Sequence, residues 1–196
     1  MTKPLVLSFD TSAAHVAAAL LCGDDIIAHK VEEMKRGQAE RLMPLVQEVL
    51  AEGRKSFADL DAIGVGVGPG NFTGIRISVS AARGLALGLG IPAVGVNSFD
   101  AIEAGLEYPA VPVVPGPRGQ GYLSPKDGVP YLASEEELID IMEDGALATP
   151  KADSLVVQIA RLAAQRYKGS PARPAPLYVK PADAAPPKDP APVILP

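Results

Sequence analysis

Tryptophan is absent from this chain, and cysteine and histidine are nearly so: Cys22, His15 and His29 are all it has of either. One thiol cannot close an intramolecular disulfide, which suits a reducing compartment. Two histidines on neighbouring predicted strands are the ordinary polar residues of a hairpin surface, and they make a poor metal site. Long apolar runs are missing too. No stretch reaches the ~20 residues that a bilayer-spanning helix requires. Met1-Thr2-Lys3-Pro4 leads straight into a short strand without the apolar core of a secretory leader. The expectation is a soluble cytoplasmic protein. Positive charge is also short, with 18 Lys and Arg against 23 Asp and Glu and a net charge of -5. A chain that grips nucleic acid unaided carries a basic face, so direct binding is disfavoured unless a partner supplies the charge.

What is present suits an α/β protein. Of the 196 residues, 47% are hydrophobic, enough for one substantial core or two small lobes sharing one. Leu5 to Phe9 reads as a compact strand ending at Asp10-Thr11-Ser12. Val16 to Leu21 and Ile26 to Val31 flank the hairpin turn Gly23-Asp24-Asp25. Gln38 to Ala51 has helical spacing at Ala39, Leu42, Met43, Val46, Val49 and Leu50. Pro44 either kinks that helix or marks its first turn. Ala62 to Gly68 reads as a buried strand, Thr73 to Leu89 as a helix and Ala93 to Val96 as a strand.

The second half is thinner. Ser98 caps a short helix through Leu106, and one strand is expected over 109–114. Ser134 with Glu137 predicts a capping box for a helix through Glu143. Asp153 or Ser154 opens a last helix with Leu155, Val156, Ile159, Leu162 and Ala163 on one stripe, stopped at Gly169. Nine prolines fall in the final twenty-six residues, so that tail is either extended along the surface or disordered.

The densest signal runs from Gly64 to Arg76, where a glycine and β-branched strand turns at Gly68-Pro69-Gly70 and feeds a helix. It continues through Arg83-Gly84-Leu85-Ala86-Leu87-Gly88 to Ile91-Pro92-Ala93-Val94-Gly95-Val96. This string resembles the TsaB (YeaZ) family, a partner subunit in making threonylcarbamoyladenosine on tRNA, and also that family's catalytic sibling, TsaD. Tyr178-Val179-Lys180-Pro181 resembles the family's Tyr-Leu-Arg-Pro near the C-terminus. The element order β-β-β-α-β-α-β, with this resemblance, implies an α/β fold of the actin-like, sugar-kinase-like (ribonuclease H-like) superfamily. The expected organisation is an actin-like lobe over 1–97, a reduced second lobe over 98–170 and a proline-rich tail over 171–196.

The sibling comparison bears on function. In the catalytic sibling the strand matching Val94-Gly95-Val96 runs into histidines, two of which, four apart, hold the metal. Here those positions are Ser98 and Ile102, and isoleucine cannot bind a metal. No catalytic residue, intrinsic metal or intrinsic cofactor is therefore expected. ATP and a metal would belong to partner subunits.

A phosphate site is the remaining small-molecule candidate. Asp10, Thr11 and Ser12 stand where actin-like kinases place their first phosphate loop, but the Asp-x-Gly-Thr glycine is missing. Gly68 and Gly70 at the helix opened by Thr73 could present N–H groups to an anion. Against this, Thr11 and Ser12 read equally as hairpin caps and the glycines as means to a tight turn and close packing. The rival function is a small phosphotransferase or ATPase using Asp10 and the Gly68–Gly70 turn.

The helix after Thr73 is the clue to a partner. At ~100° per residue, Gly74, Ser78, Ala81, Gly84 and Gly88 gather on one side, Ile75, Val79, Ala82 and Ala86 on a second, and Arg76, Ser80, Arg83 and Leu87 on a third. The small-residue side is expected to admit another helix closely, at ~1 kcal/mol of helix propensity per glycine. A helix buried in its own domain is the alternative. Arg76 and Arg83 suit carboxylates across an interface or plain solvation equally. The resemblance implies an interface built from the two helices, at Gln38, Leu42, Met43, Val46, Gly74, Arg76, Ser78, Ala81 and Arg83. Many family members have histidine where Gln38 stands. The implied partners are a TsaD-type catalytic subunit, a TsaE-type ATPase, a second copy of this chain when alone, and tRNA only through the complex.

Overall fold

A computed structural model of the chain describes residues 3–106, 110–125, 128–144 and 147–179. The last residues of the tail, including Lys180 and Pro181, lie outside them. Five strands form the first sheet: β1 (Leu5–Asp10), β2 (His15–Cys22), β3 (Asp25–Glu33), β4 (Ala62–Gly66) and β5 (Ala93–Val96), in the order β3-β2-β1-β4-β5. β1 to β3 make an antiparallel meander, while β4 and β5 join parallel to β1. Parallel strands need crossover helices, and α1 (Gln38–Glu52) and α2 (Phe72–Leu89) supply them.

Both faces of this sheet are covered, which explains why β1 reads as an unbroken buried run. Leu5, Leu7 and Phe9 turn to one face and meet Leu42, Leu45, Val46 and Val49 of α1 with Ile75, Val79 and Ala82 of α2. Val6 turns to the other, toward α3 (Ser98–Ala104) and α5 (Ala152–Arg166). Ser8 shares that second face, and its hydroxyl donates to the Val156 carbonyl of α5 at 2.8 Å. Gly64 lets α5 approach: a Cβ there would lie 2.8 Å from the Ala163 Cβ. Pro44 is accommodated inside α1, exposed in its second turn.

A smaller sheet is built from β6 (Val111–Pro115), β7 (Gly121–Leu123), β8 (Tyr131–Ala133) and β9 (Leu147–Ala148), in the order β8-β7-β6-β9. α4 (Glu135–Asp144) packs Leu138 and Ile141 against Val113, Leu123 and Ala133. The Ser134 hydroxyl accepts from the Glu137 N–H at 3.2 Å, one half of the capping box that the spacing predicts, while the Glu137 carboxylate accepts from the Tyr131 hydroxyl instead. Only β6 of these strands is expected from sequence, starting nearer residue 109, which is outside the described residues. Over 171–179 the chain has no regular structure, but it is anchored: the Leu177 N–H donates to the Val67 carbonyl at 2.8 Å and its side chain touches both main core clusters.

One ion cluster ties α1 to the edge strand β3. Arg41 donates to Glu32, and also to Glu48 at 2.7 and 3.0 Å, while Lys30 reaches Glu48 at 3.1 Å. Hydrogen bonds from Arg41, then from Lys30, hold the Glu48 carboxyl down to about 2, and Arg41 lowers Glu32 as well. Both carboxyls sit below their unfolded values, so their contribution is complete above the ordinary carboxylate range and fades as pH falls toward 2. Arg41→Met should therefore flatten the fall in melting temperature between about pH 4.5 and 2. Parallel melting curves for the two proteins over that window would contradict the assignment. Both groups are solvent-exposed, so the effect is a small one.

Candidate functional site

Two turns meet at one end of the first sheet, and their backbones touch. The turn after β1 carries Asp10, Thr11 and Ser12; the turn after β4 carries Gly68, Pro69 and Gly70. The Asn71 N–H donates to the Ser12 carbonyl at 2.6 Å, and the Thr11 hydroxyl donates to the Gly74 carbonyl at 2.6 Å. Asn71 also caps α2, its Oδ1 accepting from the Gly74 N–H at 2.8 Å. A Cβ on Gly74 would sit 1.9 Å from the Thr11 carbonyl oxygen, and one on Gly70 would sit 2.3 Å from that of Ser12. A Cβ on Gly66 would strike Asp10 Oδ1 at 1.9 Å. Close packing of the two turns thus accounts for these glycines.

Asp10 is sealed behind the turn. Its Oδ2 accepts from the Ser12 N–H at 3.0 Å, the Ser12 hydroxyl at 2.9 Å and His15 Nε2 at 2.7 Å. Its Oδ1 has no partner among the described residues. His15 corrects the expectation of a surface histidine: it is 8% exposed and fastened to Asp10. As the first residue of β2, it lies where the hairpin folds back over the Asp10 turn. His29 is exposed on the edge strand.

Of the six phosphate candidates, Ser12 and Gly70 border a cavity of about 350 Å³ between the two sheets. Asp10 and Thr11 are buried, Gly68 lies under Ile75 and Leu177, and Thr73 is exposed on the first turn of α2. The sequence reading missed Asn71 and Ser98 at this cavity. Asn71 is the better signal in hindsight, as an Asn three residues before Gly74 at a helix start.

The two positions matched to metal ligands do not fit a metal. Ser98 opens α3, and Ile102, 7% exposed, packs in the core with Phe99 and Leu155. Among the described residues no three of His, Cys, Asp and Glu gather to hold an ion.

The partner face expected on α2 needs correction. Gly74 and Ser78 point inward: Ser78 is fully buried and its hydroxyl donates to the Gly66 and Ile75 carbonyls at 3.2 and 3.1 Å. Gly84 and Gly88 have open space where a Cβ would stand. The stripe changes character because α2, at about 27 Å, is longer than five-residue β4, at about 17 Å, so its last turns lose their cover. Leu42 and Val46 of α1 are likewise core residues, unavailable to a partner, while Gln38, Met43 and Ala81 are half-buried. Gln38 Nε2 donates to the Ala13 carbonyl at 3.3 Å.

The face that α2 does turn outward is the third one, Arg76, Ser80, Arg83 and Leu87, with Leu87 85% exposed. Arg76 is held in place: its guanidinium lies 3.9 Å over the Phe72 ring and Nε donates to the Tyr178 hydroxyl at 2.8 Å. Phe72 and Tyr178 contact each other with centroids 4.7 Å apart. Neither Arg76 nor Arg83 has a carboxylate partner among the described residues.

Comparison with known proteins places this architecture. Residues 25–180 match the family model described as TsaD: tRNA N6-adenosine threonylcarbamoyltransferase. YeaZ from Pseudomonas aeruginosa superimposes with a TM-score of 0.71 at 22% identity, covering 89% of this chain and 99% of that one. An uncharacterized protein with similarity to peptidase YeaZ from the same organism gives 0.72 at 24%, covering 90% and 100%. An uncharacterized protein of Mycobacterium tuberculosis is 32% identical over 99 residues, 50% of this chain and 47% of the relative. The match thus spans about half the length of that curated relative. No helix among the described residues is long and apolar enough to cross a membrane. With more than half of its residues matched, the chain belongs to the TsaD family of tRNA N6-adenosine threonylcarbamoyltransferase proteins, in the YeaZ (TsaB) form of the fold.

Proposed function

We propose that this chain is the non-catalytic, TsaB-type subunit that binds a TsaD-type transferase and activates it in threonylcarbamoyladenosine modification of tRNA. The observation that carries this reading is Ile102, a core residue where the catalytic sibling has a metal-binding histidine. A family member without the ligands serves the reaction through its surface. Binding the catalytic subunit stabilises that subunit's competent conformation by whatever free energy the contact favours it over the others. The partner face is the outward side of α2, and a TsaE-type ATPase and tRNA join through the complex. The same face pairs two copies of the chain when the transferase is absent.

The rival phosphotransferase reading would need Asp10 open to a nucleotide, and its Oδ2 is engaged by Ser12 and His15 behind the cavity.

Reconstitution distinguishes these readings. The cognate transferase, tRNA and threonylcarbamoyl adenylate are incubated with and without the chain, and modified adenosine is measured. Product should rise at least tenfold on adding the chain, equivalent to ~1.4 kcal/mol of added stabilisation. The chain alone should make none. Product from the chain alone, or equal product without it, would overturn the proposal.

A further inference from the structure

The outward face of α2 ends in a groove of about 420 Å³. Arg83 and Leu87 line it with Ile91 and with Pro171, Arg173 and Pro174 of the C-terminal segment. Leu87 is the most exposed large apolar side chain among the described residues, and a Cβ on neighbouring Gly84 would meet open space. No acid is among the described residues that line the groove, and neither arginine has a carboxylate partner among them. An apolar wall flanked by two unneutralised cations fits an apolar segment that also carries acids.

The course of the chain supplies such a segment. Pro171 to Pro174 lie beside the last turns of α2, Leu177 is tied to Val67, and Tyr178 stacks on Phe72 in the first turn. The segment therefore runs along α2 from its end to its start. Val179, the last described residue, stands at the opposite end of the helix from the groove, and residues 180–196 follow it. From Arg76 to Leu87 the helix rises about 17 Å. An extended chain at ~3.1 Å per residue covers that distance in about six residues. The seventeen residues carry two acids, Asp183 and Asp189, and hold all their large apolar side chains in one run, Val193-Ile194-Leu195. Six prolines among them restrict the unbound chain, which lowers the ordering cost of an extended bound form.

We propose that residues 180–196 fold back along the outward face of α2 as a strap and seat Val193-Ile194-Leu195 in the groove. Asp183 and Asp189 answer the arginines of that side, Arg76, Arg83 and Arg173. A tether this short holds the segment at a local concentration on the order of 1 mM, so an intrinsic affinity of only ~0.1 mM keeps it seated about nine-tenths of the time. The strap covers Arg83 and Leu87 and so competes with any partner of that face. Its effect on the transferase rests on the partner role proposed above; its position does not.

The test places a nitroxide spin label at residue 194 of the full chain, in an Ile194→Cys variant whose native thiol is removed by Cys22→Ser, and reads the broadening of backbone amide signals. Broadening should be strongest at Gly84 to Gly90, the end of α2 farthest from Val179, and should not change on dilution. Adding Leu87→Asp should erase it. Broadening centred on the first turn of α2, or spread without a maximum, would mean an unseated tail and overturn the strap. Broadening lost on dilution would mean contact with a second copy and overturn it too. In the unlabelled full chain, Ile194→Asp should raise affinity for the TsaD-type subunit about tenfold, as for release of a face that is nine-tenths covered. Unchanged affinity in that variant, beside normal binding by the wild type, would overturn the competition. The spin-label result needs no transferase, so a failure of the partner role would leave it standing.

Discussion

Gly74→Ala should lower the melting temperature by about 10 °C or more, making it one of the most damaging single-methyl additions in the chain. The new Cβ would stand 1.9 Å from the Thr11 carbonyl oxygen, a backbone atom held by its own strand. Relief requires the two turns to separate, which breaks the hydrogen bond from the Thr11 hydroxyl and strains the Asn71 cap. Overpacking costs ~1–3 kcal/mol and a lost cap and hydrogen bond ~1 kcal/mol each. Together these consume much of the 5–15 kcal/mol that stabilises an ordinary domain. At ~2–4 °C per kcal/mol for a chain of this size, the shift is large. Gly84→Ala and Gly88→Ala provide the contrast, since a Cβ at either position meets open space. Each should be neutral or gain up to ~1 kcal/mol from helix propensity. If Gly74→Ala melts with the wild type, the account of the touching turns is wrong.

The second large effect concerns binding. Arg83→Glu combined with Leu87→Asp should abolish measurable association with the TsaD-type subunit while leaving the melting temperature within a degree or two. Both side chains are exposed and packed on nothing essential, so stability should change by no more than ~0.5 kcal/mol each. At an interface, an arginine and an anchoring apolar residue each carry ~2 kcal/mol or more, and their joint loss is three decades of affinity. Arg76 is a poorer probe, because its stacking on Phe72 and its bond to Tyr178 also hold the C-terminal segment. Ser78→Leu would test nothing about a partner: Ser78 is fully buried, and the variant should unfold. Unchanged binding by the Arg83 and Leu87 double variant would move the interface off this face.

How far the sequence carries these conclusions varies along the chain. β1 to β5, α1 and α2 are legible because each has a clean period and is bounded by turn residues such as Gly23-Asp24 and Gly68-Pro69-Gly70. β7, β8 and β9 are not: two or three residues are too few to show a period, and Leu147–Ala148 forms a strand only through distant pairing with β6. Helical angles divide α2 into the right three sides, but they cannot tell which side the sheet covers. A strand shorter than the helix leaves Gly84 and Gly88 bare while burying Gly74 and Ser78. The Asp10–His15 pair also escaped, because the strand pattern gives His15 a face but not the turn that folds against it. Ser98 reads in the sequence as a helix cap, yet Asn97 is the cap of α3; the cavity that Ser98 borders gathers residues from Ser12 to Leu155, and that proximity exists only in the folded chain.

The central claim, that the chain acts by docking on a catalytic sibling, is tested most directly by size-exclusion chromatography of the wild-type chain mixed with its cognate TsaD-type subunit. At micromolar concentrations the account predicts a shared peak at a mass above either component, formed by the wild type and lost in the Arg83 and Leu87 double variant. Two separate peaks at the elution volumes of the isolated proteins, with all complex partners present, would contradict it.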